Sequence, residues 1–292
     1  LALSGCAASS QAADEDQSAR LALGTKATYA APAEDVEYSK APDEFEPVLI
    51  EHVARHGSRL LSSKKYDDLI TQLWEMAKKE NALTETGERL GPVVAQITAV
   101  HEKVGYGVLS TLGEHEHQKM AERAYDRMED LFEDAEDEDK KINIVTSGVD
   151  RAVDSAQNFV QGLVDEDKDL KSLISKPRTD KDVLYFHDTD QAYSDFIDND
   201  PVLAETLEKV EEDPQIVEAS KHVLARLFTE EFINKLDSGA IDLVDRGKGE
   251  KHLESVVDAA MYLYELYVIA PGMGEDYQVD FSEFVTADDA LV

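Results

Sequence analysis

Val53-Ala54-Arg55-His56-Gly57-Ser58-Arg59 follows closely on the apolar stretch Val48-Leu49-Ile50, with Pro47 just before it. The apolar run predicts a buried strand over 48–54 that ends in the Arg-His-Gly turn, and Pro47 suits a strand start. Open α/β sheets bind ligands at the carboxyl ends of their strands, so the turn is where a ligand belongs. Its residue types agree with that position. An imidazole can accept a phosphoryl group covalently. Guanidinium groups at Arg55 and Arg59 match phosphate oxygens with paired hydrogen bonds. Gly57 lets backbone approach a tetrahedral anion without a side chain in the way. The competing reading is a basic cluster on a surface turn.

Further along, Ile142-Asn143-Ile144-Val145-Thr146 reads as a second strand, turned by Ser147-Gly148 into a helix with Ala152, Val153, Ala156, Phe159, Val160 and Leu163 on its inner side. Arg151 falls in the first turn of that helix, where the helix field also favours an anion. If the two strands are neighbours, Arg151 shares a sheet edge with Arg55 and Arg59. The competing reading is an ordinary exposed arginine. Val183-Leu184-Tyr185-Phe186 predicts a third strand. Apolar residues at helical spacing predict helices over 66–79, 90–104 (stopped by Gly105-Tyr106-Gly107), 120–132 and 253–264. Strands separated by long helical stretches predict an α/β sheet carrying a second, helical region.

The chain has 292 residues, 42% of them hydrophobic, enough for one large domain or two small ones. It carries 63 acidic against 29 basic residues, a net charge of −34. This charge argues against nucleic acid and anionic membrane headgroups as partners. A small anionic substrate is not, because local arginines outweigh distant charge that salt screens. The acidic run from Glu133 to Asp139, like Glu114, His115, Glu116 and His117, reads as solvated charge; adjacent residues do not share a helix face to hold a metal.

Cys6 is the single cysteine, so no intrachain disulfide can form. Its setting, Leu3-Ser4-Gly5-Cys6, resembles a bacterial lipoprotein processing site followed by a polar tether. Residues 1–20 are accordingly read as the remnant of a signal peptide, lipobox and tether. The expectation is an exported protein held at the cell surface by lipid on Cys6, with no other membrane attachment.

Three segments carry a family resemblance: Gly24-Thr25-Lys26-Ala27-Thr28-Tyr29, Ala54-Arg55-His56-Gly57-Ser58-Arg59, and Val145-Thr146-Ser147-Gly148-Val149-Asp150-Arg151-Ala152 with the residues after it. Leu112-Gly113-Glu114-His115-Glu116 adds a Gly-x-x-Glu element opening a helix. Together they resemble the histidine phosphatase superfamily, in its acid phosphatase and phytase branch, and within it the multiple inositol polyphosphate phosphatases. The resemblance implies a histidine-phosphatase-like α/β domain over 21–292, with helical regions at roughly 64–140 and 195–270. It implies hydrolysis of inositol polyphosphates such as phytate through a phosphohistidine at His56, with Arg55, Arg59 and Arg151 holding the transferring group and no metal or other cofactor. Lys26 is read both as a contact to a substrate phosphate and as a structural lysine. A non-catalytic phosphate binder and a histidine acid phosphatase for other monoesters are the alternatives.

Two departures from the family pattern matter. Leu60-Leu61-Ser62-Ser63 replaces the x-Pro-Thr continuation of better-known phytases. No His-Ala-Glu occurs either. The family takes its general acid from that motif, so the acid is expected beyond Val292 in a chain that reads as incomplete. His187-Asp188 matches the His-Asp pair of other acid phosphatases but comes too early in the chain. An inositol alkoxide needs a proton to leave, whereas p-nitrophenolate needs it far less, and acid catalysis contributes about 10²–10⁴-fold. Residues 1–292 should therefore keep more of their activity on p-nitrophenyl phosphate than on phytate. Phytate turnover equal to that of a protein containing His-Ala-Glu would place the acid within 1–292.

Overall fold

In the computed structural model the described residues are 21–29, 39, 42, 44–247 and 251–291. Cys6 and the segment assigned as a lipobox and tether lie outside them. The chain is mixed α/β and mostly helical, with two small sheets among the described residues. In chain order the principal helices are α1 (Lys65–Lys79), α2 (Glu85–Val104), α3 (Thr111–Arg127), α4 (Glu129–Asp137) and α5 (Asp150–Glu166). After a run of short helices over 181–211 come α6 (Pro214–Ala225), α7 (Glu230–Asp237), α8 (Val256–Ile269) and α9 (Pro271–Tyr277). The strands are β1 (Val145–Thr146), β2 (Arg178–Thr179), β3 (Leu243–Val244) and β4 (His252–Leu253). No described helix is long and apolar enough to cross a membrane.

The chain divides into two compact units. The first comprises Leu1–Thr28, Leu60–Val108 and Asn199–Val292. Its core forms where α8 packs on α1 and α6, and α1 on α2. Leu69, Leu73, Leu90, Ile97, Leu263 and Leu266 are fully buried there. Helix α8 is apolar nearly all round, as a helix enclosed by others must be. It starts in a capping box, with the Ser255 hydroxyl accepting from Asp258 N–H and the Asp258 carboxylate accepting from Ser255 N–H. The same unit buries Asp67, which accepts a hydrogen bond from Tyr106 Oη at 2.8 Å, while His101 Nε2 accepts from Leu61 N–H at 3.2 Å.

The second unit comprises Tyr29–Arg59 and Leu109–Asp198. Helices α3 and α5 pack against each other, and a small core of Ala121, Phe132, Leu163, Leu170 and Leu173 lies beneath them. Strands β1 and β2 are parallel, with Val145 opposite Arg178 and Thr146 opposite Thr179. β1 passes into α5 through Gly148, whose φ of +78° is one that L side chains rarely adopt.

The helices predicted around 66–79, 90–104 and 253–264 are present. Three other expectations are corrected. The apolar run 48–54 forms neither helix nor strand; Val48 and Leu49 are 87% and 79% exposed. A strand exists through the ladder it shares with a neighbour, and among the described residues 48–54 has none. Val183-Leu184-Tyr185-Phe186 is divided between two one-turn helices instead: the Asp180 carboxylate accepts from Val183 N–H at 3.2 Å and starts the first (Lys181–Leu184), Tyr185 bends, and Phe186 opens the second. A cap that satisfies the backbone locally outweighs β-propensity that no ladder supports. The partner of β1 is Arg178–Thr179, a pair whose side chains carry no apolar signal. Finally, the helix expected over 120–132 breaks at Met128, where the backbone leaves helical geometry (φ −130°) and α4 sets out anew with Phe132 in the small core.

Leu263 has no exposed surface. Leu263→Ala should cost about 2–5 kcal/mol, from lost transfer energy plus the cavity left behind. Urea denaturation followed by far-ultraviolet circular dichroism reads this out; a cost below about 1 kcal/mol would mean that α8 is loosely packed.

Candidate active site

The Arg55–Arg59 turn is held between two helices of its own unit, α3 and α5. Ser110 caps α3, its hydroxyl accepting from Gly113 N–H at 3.1 Å. The same residue donates twice to the Ser58 carbonyl, from its N–H and from its hydroxyl, both at 2.9 Å. Arg59 forms a β-bridge with Leu109. On the other side, the Ser155 hydroxyl of α5 accepts from Gly57 N–H at 3.0 Å and donates to the Arg151 carbonyl at 2.7 Å. The turn lies so close on α3 that a Cβ added at Gly57 would sit 2.7 Å from Gly113 Cα, and one added at Gly113 would sit 2.8 Å from Ser58 N. Two glycines meeting backbone to backbone let the turn rest on the first turn of the helix.

Two neighbouring residues of α3 complete the support. The Glu116 carboxylate accepts from Ser58 N–H (2.7 Å), from the Ser58 hydroxyl (2.8 Å) and from Tyr29 N–H (2.8 Å). His117 hydrogen-bonds the backbone of Arg55, and burial pushes its imidazole below the usual histidine range. Glu116 and His117 are only 6% and 4% exposed. The expectation that this acidic stretch is all solvated is therefore corrected: His115 faces solvent, whereas Glu116 and His117 are turned inward. The signal available was the i, i+3 spacing of Gly113 and Glu116 behind the Ser110 cap, which puts both on one helix face.

His56 is half-buried, and its Nδ1 lies 2.9 Å from the Gly57 carbonyl. With Nδ1–H donating to that carbonyl, the Nε2 lone pair is left for reaction. Its pKa is pushed down to about 4, first by burial and then by the positive guanidinium groups of Arg151, Arg55 and Arg59, while the bond to Gly57 opposes the shift. The charges of all three arginines therefore reach His56. Arg151 stands in the first turn of α5, and its Nε is buried with no hydrogen-bond partner among the described residues.

The remaining candidates lie elsewhere. Lys26 belongs to the first unit, where its ammonium is ion-paired with Glu265. His187 is exposed, with its ring against those of Tyr185 and Phe186, and Asp188 is exposed in the same one-turn helix (Phe186–Thr189). His52 stacks on Phe159 at 4.4 Å between ring centroids. The groups whose donor atoms could converge on a metal, Glu136 with Asp167 and Asp169 and Asp242 with His252 and Glu254, include no residue of the arginine cluster.

One imidazole and three guanidinium groups acting together have the chemistry to hold a phosphate-sized anion. Comparison with known proteins agrees. Residues 50–254 match the family model of the histidine phosphatase superfamily (branch 2). A search of curated proteins found no match. Among solved structures, the chain resembles Bifidobacterium longum multiple inositol polyphosphate phosphatase in its apo form (TM-score 0.84, 29% identity, 92% of this chain and 66% of that one). It resembles the same protein in complex with inositol hexasulfate (TM-score 0.82, 29% identity, 92% and 67%) and with phosphate (TM-score 0.82, 29% identity, 90% and 64%). The chain thus spans about two thirds of the length of these neighbours. With its turn, its arginines and more than half of its length matching that model, the chain belongs to the histidine phosphatase superfamily, branch 2.

Proposed function

We propose that this protein is a phosphomonoesterase that hydrolyses inositol polyphosphates such as phytate through a phosphohistidine at His56. The observation that carries the reading is a neutral imidazole, tied at Nδ1 to Gly57 and surrounded by the charges of Arg151, Arg55 and Arg59. Nε2 attacks the phosphorus, and the bond from phosphorus to the inositol oxygen breaks as that oxygen takes a proton from an acid. Water then attacks the phosphohistidine, releasing inorganic phosphate and restoring the imidazole. The guanidinium groups neutralise charge growing on the equatorial oxygens, so the positive charge of the site comes from side chains. The substrate class draws its support from the solved neighbours, whose ligands are phosphate and inositol hexasulfate. For Lys26 to touch a substrate phosphate, it would have to give up Glu265. We also propose export and attachment through lipid on Cys6, supported by Leu3-Ser4-Gly5-Cys6; Cys6→Ala should move the protein from the membrane fraction to the soluble one.

His56→Ala should abolish both turnover and trapping of an acid-labile phosphoenzyme from radiolabelled substrate. Turnover near wild type would remove His56 from the reaction, while phosphate binding without any turnover in the parent protein would favour a non-catalytic binder. Arg151→Ala should cost about 2–5 kcal/mol of transition-state stabilisation, read from the ratio of kcat/KM values.

The pH dependence follows from the direction of the His56 shift. The attacking form is the neutral imidazole, and its pKa lies at about 4 rather than at the ordinary 6.5. The nucleophile is therefore competent throughout pH 5–7, and kcat/KM should fall only as pH drops through about 4, since kcat/KM reports groups of the free enzyme. An acid limb near 6.5 that persists when each of the other histidines is replaced in turn would show an ordinary, solvated His56.

A further inference from the structure

We propose that Glu116 is the positioning residue of the His56 turn: its buried carboxylate fixes Ser58 between the nucleophile and Arg59 and ties Tyr29 to the same point. This inference rests on the phosphatase reading of the site. Ser58 is the one residue between Gly57 and Arg59, so its two peptide planes set how Arg59 is directed relative to His56. The plane before it is held by Glu116 Oε2, which accepts from Ser58 N–H at 2.7 Å. The plane after it is held by Ser110, whose N–H and hydroxyl both donate to the Ser58 carbonyl at 2.9 Å. Glu116 Oε1 accepts from the Ser58 hydroxyl and from Tyr29 N–H, each at 2.8 Å.

Three donors converge on this one side chain. An ionised carboxylate has only acceptor sites, so it satisfies all three; an amide would turn two donors of its own toward them. Burying a charge at 6% exposure is costly, and three charge-assisted hydrogen bonds offset it. Position on α3 matters as well. Glu116 is one turn beyond Gly113, the residue against which Gly57 packs, so the close approach and the carboxylate grip are delivered by the same helix face. The next residue, His117, bonds the backbone of Arg55. Adjacent residues of α3 therefore hold the turn on both sides of His56. Tyr29, held by its N–H, also lies under Arg123, whose guanidinium is 5.1 Å from the centre of the Tyr29 ring.

The test compares Glu116→Ala, Glu116→Gln and Glu116→Asp with the parent in the full chain. Three quantities are measured: kcat and KM for p-nitrophenyl phosphate, well below each variant's Tm; the acid limb of kcat/KM; and hydrogen exchange at the Ser58 and Tyr29 amides. Misplacing a catalytic group by about 1 Å costs on the order of 10²-fold. Glu116→Ala and Glu116→Gln should therefore lower kcat by about that factor with a smaller change in KM, and speed amide exchange at both positions by at least about tenfold. The acid limb should stay where it is in the parent, because Glu116 is not among the groups that shift His56. Glu116→Asp, which keeps the carboxylate, should recover part of kcat. A purely structural role would lower Tm and leave kcat unchanged, and that outcome overturns the proposal. So does parent-like exchange at Ser58 in Glu116→Ala. If Glu116→Ala fails to fold, the isosteric Glu116→Gln supplies the same readouts. Absence of a phosphoenzyme in the parent would defeat the phosphatase reading, and the exchange measurement would still decide whether Glu116 grips the turn.

Discussion

Two backbones meet at Gly57 and Gly113, and the candidate site depends on that contact. A side chain on either residue would overlap the other strand of chain. Because neither has one, the turn settles on the first turn of α3, where Ser110 and Glu116 reach the peptide groups around Ser58. Gly57 N–H is taken by Ser155 from α5, one turn after Arg151. The turn that carries His56, Arg55 and Arg59 is thereby referred to the same pair of packed helices as Arg151, rather than being a loop free to adjust. That is how a reactive constellation keeps its geometry: supporting groups locked by packing and hydrogen bonds hold the groups that do the chemistry.

Electrostatics follows from the same arrangement. Burial and three guanidinium charges act together to keep His56 neutral, so its imidazole carries a lone pair even at moderately acidic pH. The chain as a whole carries a net charge of −34, yet the cluster around His56 is cationic. The two coexist because salt screens charges beyond about 8–10 Å, whereas His56 is partly buried and feels the charges of the nearby arginines. The acidic surface serves solubility, and recognition of an anion is left to local groups.

The first unit shows how different sorts of residue carry different sorts of information. Its helices were readable because their apolar residues recur at helical spacing and an end such as Gly105 carries a stop signal, whereas the Ser255 cap that starts α8 two residues after Leu253 emerged only in the structure. Buried polar residues were not readable this way. Asp67 and His101 look like surface residues of amphipathic helices, and only packing turns them inward to bond Tyr106 and Leu61. Glu116 and His117 repeat the lesson in the second unit.

By itself, the sequence pointed to the residues on which the proposed chemistry rests. Arg55, His56, Arg59 and Arg151 are recognisable from residue type and fixed spacing, because an imidazole among guanidinium groups has few other uses. It also determined the long helices, whose hydrogen bonds close within a few residues. What it could not determine depends on partners distant in the chain. Whether 48–54 and 183–186 become strands turns on a ladder that some other segment must supply; one stayed irregular and the other became helix under Asp180. The pairing of β1 with Arg178–Thr179, the inward turn of Glu116 and the Gly57–Gly113 contact were likewise decided by tertiary structure. A carboxylate or a glycine becomes structural only when the groups it must satisfy or admit have been brought beside it, and in this protein those groups lie tens of residues away.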